Sequence, residues 1–369
     1  MSEVTQFHNL SHVFISLIGA VLLLAIYFNI RKRFSQILEE DTSIKRVDKG
    51  LLYLSFGLIV WVISGIWAYA ANRFSFEETM PYQLGVNILS TVNNLFWLLA
   101  LYYVYDAPKF IYRNEKNVKI IATIIVVVTV ITFLIVNFTQ ENTIINGVKL
   151  IAIPDVLLTL FLCFLMGISF YKTFIYRDLK LVAVISVIVI ILLFVSQLSD
   201  IFIMLDNDFA NQLIRIIAKT SLISIFLVLA ISWVIQLANT PKSNEIKIQF
   251  LDWSLVQLTI PSKGIYERKI DFGSKTTQYK NLLNFAYKRK FADASEQCII
   301  VNSGGEIKSQ TYLTRIIDNI NGILQLEENN KIERRDLITF VGESKYRLRM
   351  LPEHIIIDEA LLDEFKKGN

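Results

Sequence analysis

Residues 212–245 read QLIRIIAKTSLISIFLVLAISWVIQLANTPKSNE, and the change of character inside this stretch sets the architecture of the chain. From Gln212 to Leu237 it exceeds the roughly 20 apolar residues that a helix needs to cross about 30 Å of hydrocarbon. It then turns polar, with Pro241 in the composition of a short linker. Before the linker the chain is a series of long apolar runs. After it the sequence has the mixed pattern and charge of a water-exposed domain. Over 369 residues, 53% are hydrophobic and 19% charged. A soluble domain has about 45–50% and about 25%, so the apolar excess belongs to the first part. That distribution excludes a single soluble globule and a disordered chain. Two cysteines, Cys163 and Cys298, exclude a disulfide scaffold.

Six earlier runs meet the same length criterion: His12 to Ile30, Leu51 to Ala71, Leu84 to Tyr105, Ile120 to Phe138, Leu150 to Tyr171 and Leu181 to Leu205. Seven spans put the chain ends on opposite sides. Lys and Arg in the loops set the orientation, because they accumulate on the cytoplasmic side. One set of loops holds thirteen, among them Arg31, Lys32, Arg33, Lys109, Arg113, Lys172 and Arg177, whereas the opposite set holds Arg73 and Lys149. The N-terminus is therefore expected outside. The opening MSEVTQFHNLSH has no Lys or Arg, and Arg31-Lys32-Arg33 follow the first run, the reverse of a cleaved signal. The expected fold is an α-helical polytopic membrane protein of the inner (plasma) membrane. Residues 1–238 would form seven transmembrane helices, 239–246 a linker and 247–369 a cytosolic α+β domain.

Polar groups inside spans are costly and face the bundle interior. The third run carries Asn87, Ser90, Thr91 and Asn94 on one helical face. The fifth carries Asp155 with Thr159 one turn on, the sixth ends in Ser196, Gln197 and Asp200, and the seventh begins with Arg215 and Lys219 four residues apart. With the N-terminus outside, all of these fall in the outer half of the membrane, rimmed by Trp67, Tyr69 and Tyr82. They are expected to form a ligand-binding or switching cavity in which Asp155 and Asp200 pair with Arg215 and Lys219. The alternative is that they only join helices. His8 and His12 have helical spacing, but the one remaining histidine is His354, so no metal site is expected.

In the tail, Ile246 to Ile260 has strand composition broken near Asp252 to Ser254, and Lys269 to Phe272 and Gln297 to Val301 are shorter strand candidates. Ser274 stands as N-cap to a helix with Tyr279, Leu282, Leu283 and Ala286 on one face. A second helix, about Ser309 to Leu326, buries Leu313, Ile316, Ile317, Ile320, Ile323 and Leu324. It turns Thr314, Arg315, Asp318, Asn319 and Asn321 to solvent. A hairpin over LITFVGESKYRLRML follows, where Lys345, Arg347 and Arg349 alternate with Tyr346, Leu348 and Met350, giving one basic and one apolar side.

Tyr312 to Leu324 followed by ITFVGESKYRL, residues 338–348, resembles the C-terminal winged-helix domain of OmpR/ToxR-type regulators over about 80 residues. The resemblance implies a recognition helix over 312–324, a wing over 338–348, and contact to nucleic acid or a partner through Arg315, Asn319, Lys345, Arg347 and Arg349. Between Lys263 and Arg349 there are sixteen Lys and Arg against eleven Asp and Glu. Of these, Lys288, Arg289, Lys290, Lys331, Arg334 and Arg335 suit phosphate contacts or an anionic membrane surface. The helix departs from the family in pairing Arg315 with Asp318.

No GxxxxGK[ST], GxGxxG, HExxH or GxSxG is present, so neither an enzyme nor a cofactor is expected. The reading that joins both halves is a membrane-embedded one-component sensor whose winged-helix-like domain carries an outer-face signal to transcription. A transporter or channel with a regulatory tail, or an anchor whose tail binds a protein, are the alternatives. The expected partners are the lipid bilayer, a small ligand at the outer face, and DNA or a cytosolic protein. A homodimer is the form in which such domains usually hold DNA.

Overall fold

A computed structural model describes residues 3–40, 47–76, 79–104, 107–112, 114–139, 144–145, 148–149, 153–198, 208–293, 296–327 and 330–368. The chain divides into two compact units, one of Met1–Arg33 with Lys45–Trp233, the other of Phe34–Ile44 with Val234–Asn369.

The first unit holds α1 (Glu3–Glu40, up to Arg33), α2 (Val47–Arg73), α3 (Met80–Tyr103), α4 (Glu115–Thr139), α5 (Ile153–Ile175), α6 (Lys180–Leu198) and α7 (Asp208–Ala238, up to Trp233). Between α4 and α5, β1 (Ile144–Ile145) and β2 (Val148–Lys149) pair antiparallel. Hydrocarbon offers backbone amides no partner, so apolar segments satisfy them internally as helices. Six helices, α1 to α5 and α7, are long and apolar enough to cross a membrane, and the chain is a multi-pass membrane protein in contact with lipid. The expected sixth span is the one that falls short: α6 is apolar over Lys180–Ser196 only, and residues 199–207, with Asp200, lie outside the described residues.

Lipid-facing stripes are visible in the exposure pattern. Ile120, Ile124, Val127, Ile131 and Leu134 on α4 are exposed, as are Leu181, Val184, Ile188, Ile191 and Val195 on α6. Both sets repeat at three and four residues, one face of a helix. In α7, by contrast, Ala218, Leu222, Phe226, Leu229, Ala230 and Trp233 are buried. Phe226 meets Phe170 of α5 edge-on at 5.8 Å, and Arg177 lies 5.6 Å from the Trp233 ring. On α1, a Cβ added at Gly19 would stand 2.6 Å from Cγ2 of Ile223 on α7, so glycine permits the close approach of the two helices.

The second unit begins with the part of α1 beyond Phe34, whose φ −122° and ψ 17° break the helical path, and continues from the last turn of α7. The unit boundary thus falls inside α7, ahead of the expected linker, where Thr240 and Ser243 are buried. One sheet is ordered β5 (Ile265–Asp271), β4 (Leu255–Ile260), β3 (Lys247–Phe250) and β9 (Ile355–Ile357); β3 pairs antiparallel with β4 and parallel with β9. The other is ordered β6 (Ile299–Ile300), β8 (Lys345–Leu348), β7 (Ile338–Gly342), all antiparallel. α8 (Thr276–Phe291) stands between β5 and β6 in sequence, α9 (Gln310–Leu324) and the single turn α10 (Arg334–Leu337) stand between β6 and β7, and α11 (Glu359–Gly368) follows β9.

The expected strands at Ile246 to Ile260 appear as β3 and β4, turned at Asp252 to Ser254. α8 buries Tyr279, Leu282, Leu283 and Ala286, and α9 buries Leu313, Ile316, Ile317, Ile320 and Leu324 in the same core. Two expectations change. Lys275, not Ser274, is the N-cap of α8, and no side chain caps it. β9, which the sequence did not mark, closes the first sheet by pairing with a strand about a hundred residues away.

Candidate functional site

In the membrane unit the expected polar residues make separate contacts between neighbouring helices. Trp67 Nε1 donates to the Tyr82 carbonyl at 3.3 Å. The Ser90 hydroxyl donates to Asp155 Oδ1 at 2.7 Å, tying α3 to α5. The Thr91 hydroxyl meets that of Thr129 on α4 at 2.6 Å and also reaches the Asn87 carbonyl. The polar face of α3 is therefore divided between two neighbours rather than turned to one cavity. Asn87 is half-buried and Asn94 buried.

The cationic residues also meet groups that the expectation did not include. Arg215 Nε donates to the Ser196 carbonyl at 3.1 Å, satisfying an end group of α6. Lys219 Nζ lies 5.1 Å from the centre of the Trp61 ring on α2, a cation–π contact. Asp155, Arg215 and Lys219 are thus each engaged, with Asp155 on a hydroxyl. Asp200 and the side chain of Gln197 lie outside the described residues, as does any pairing through them.

An aromatic layer that the sequence reading missed adjoins this set. Trp61 and Trp97 lie 5.6 Å apart, tilted by 59°, and His12 of α1 meets Trp61 at 6.0 Å. Trp97 packs on Gly57, where an added Cβ would come 2.8 Å from the indole nitrogen. Tryptophan inside an apolar run gives no local sign of its direction; glycine four residues before Trp61 was the one available signal.

In the second unit, Arg315 is exposed and lies 5.8 Å over Tyr312. Lys345 and Arg347 are half-buried on β8, with Lys345 3.7 Å from Glu343. The other expected contacts are corrected. Asn319 is not on an open solvent face: its carboxamide accepts from Lys275 and donates to Gln278 of α8. Asn321 likewise braces the chain at Ile332, bonding both its N–H and its carbonyl at 2.9 Å. Arg349 is 3% exposed, and its Nη1 donates to the Arg335 carbonyl at 3.0 Å. β8 ends at Leu348, and the alternation that put Arg349 outside ends with it.

Most of the expected phosphate cluster is also used within the fold. Lys288 pairs with Glu306 at 2.7 Å. Arg289 is buried, donating to the Met350 carbonyl and to Gln297. Lys290 donates to the Ile355 carbonyl at 2.6 Å, Arg334 to Gln310 at 3.2 Å, and Arg335 pairs with Glu333 at 2.7 Å. Asp336 caps α10 by accepting from the Glu333 amide at 2.8 Å and stands 3.5 Å from Lys263. Burial pushes its carboxyl above the usual carboxylate range, with the Glu333 amide and Lys263 opposing.

Among the described residues no group of three or more His, Cys, Asp or Glu stands in a position to hold a metal ion. Compared with models of protein families, with curated proteins and with solved structures, the chain matches none of them.

Proposed function

We propose that the protein is a one-component membrane sensor: seven membrane helices, N-terminus outside, bind a small ligand near the outer face and control a cytosolic winged-helix-like domain that acts on DNA. The observation that carries the reading is α7. It is one helix whose early turns hold Arg215 and Lys219 and whose last turn belongs to the C-terminal unit. A ligand that binds two arrangements of the early turns unequally shifts the position of the whole helix, and only that inequality drives the switch. The lysine and arginine distribution supports the orientation, and α6, apolar over Lys180–Ser196, stands as the seventh span of this reading.

The winged-helix part rests on element order. Helix, strand, helix, helical turn and hairpin follow one another, and β6 pairs with the second hairpin strand. The element directly before the hairpin is the one-turn α10, too short to lie along a major groove. Contact with DNA then falls to α9 through Arg315 and to the hairpin through Lys345 and Arg347. The same shortness favours a second reading, in which the domain binds a protein partner. Full-length protein in nanodiscs, challenged with a genomic fragment pool at several salt concentrations, separates the two. Selective retention supports the DNA reading, and co-purification of one protein without DNA supports the other.

A further inference from the structure

We propose that the Trp61–Trp97 layer of the membrane unit binds a small carboxylate. The inference rests on the reading of this region as a ligand site and names the ligand's chemistry. Trp97 and Asn94, three residues apart on α3, are 1% and 2% exposed. The Trp97 indole N–H and the Asn94 amide nitrogen have no hydrogen-bond partner among the described residues. Buried donors are almost always satisfied, so two on one face of one helix call for an acceptor. Indole and amide N–H groups offer hydrogens rather than lone pairs, so these two donors call for an acceptor and not for a metal ion.

Three features select a carboxylate. It is an acceptor with two oxygens, one for each donor. Lys219, whose Nζ lies 5.1 Å from the centre of the Trp61 ring, supplies the positive charge without which a buried anion is prohibitively costly. The indole faces of Trp61 and Trp97 and the His12 ring wall the layer with flat apolar surface for the rest of the ligand. A Cβ added at Gly57 would lie 2.8 Å from the Trp97 nitrogen and 3.5 Å from Asn93 Oδ1, a solvent-shielded acceptor also without a partner among the described residues. A hydroxyl or amine beside the carboxylate fits that acceptor.

The test uses full-length protein in phosphatidylcholine nanodiscs with 15N-labelled tryptophan, which gives five indole signals, that of Trp97 assigned by its loss in Trp97→Phe. Benzoate is added from water and oleate from the bilayer, so that a water-borne and a lipid-derived carboxylate are distinguished. The expected result is a saturable shift of the Trp97 N–H with one of them. Asn94→Asp and Lys219→Met should each weaken it about tenfold or more. No shift with either carboxylate, benzamide binding as well as benzoate, or contact of the Trp97 N–H with water alone overturns the proposal. Because the signal is read at the site, a carboxylate that binds without altering DNA retention removes the sensor reading and leaves the site. A DNA response with no carboxylate shift removes the site.

Discussion

Arg349 separates the structure from the pattern that the sequence suggests. With its side chain 3% exposed and Nη1 3.0 Å from the Arg335 carbonyl, truncation to alanine strands a carbonyl behind the hairpin and removes the packed stem. Loss of one such buried partner costs about 1–3 kcal/mol, equivalent to a roughly 5- to 150-fold rise in local opening. Its own amide bonds the Leu337 carbonyl at 2.8 Å where α10 meets β7, so the effect should centre on β7 and β8. Hydrogen exchange of full-length protein in nanodiscs reads this directly. Arg349→Ala should lower protection of the 338–348 amides by that factor, whereas Arg347→Ala, on the half-exposed side of β8 opposite Thr339, should leave it within about twofold. If Arg349→Ala keeps full protection while abolishing binding of a partner, the placement of this guanidinium inside the domain is wrong.

Three further outcomes follow from the geometry. A double-mutant cycle between Ser90→Ala and Asp155→Asn should give a coupling of about 0.5–2 kcal/mol in membrane-unit stability, the range of interhelical hydrogen bonds in bilayers; a value near zero would mean the 2.7 Å contact is not maintained. Gly19→Val places a side chain against Ile223 and Leu58 and should cost about 1–3 kcal/mol by overpacking, seen as a lowered unfolding temperature, and an unchanged value would refute the α1–α7 approach. For Asp336 the folded carboxyl is raised above its unfolded range near 3.9. The folded state thus holds the proton more tightly, and this residue's stability contribution is fully present below the unfolded pKa and lost as pH rises through the folded one. Asp336→Asn should remove that acid-favoured component from the second unit's unfolding profile, and an identical difference at every pH would contradict it.

The helices and the core faces of α8 and α9 were legible because burial on a regular element repeats with the element's own period. The three-dimensional uses of the polar residues were not. Asn319 and Asn321 lie on the outer side of α9 by its helical period, and only the fold brings α8 and the segment before α10 across them. Ser90 and Thr91, adjacent on α3, part toward α5 and α4. Trp61 and Trp97 merged into apolar runs, although the packing of Trp97 on Gly57 marks the aromatic layer. Isoleucine-rich β9 was indistinct because its pairing with β3 spans most of the domain.

The central claim is that a membrane-held domain reads DNA, and retention of a genomic fragment pool by the full-length protein across a salt series tests it most directly. If Arg315, Lys345 and Arg347 meet phosphates, a monomer should release their counterions with a slope of log affinity on log salt of about −2.7, and a dimer about twice that. The account predicts such a slope together with enrichment of particular sequences. Retention that falls with salt but enriches no sequence, or no retention at all, would contradict it.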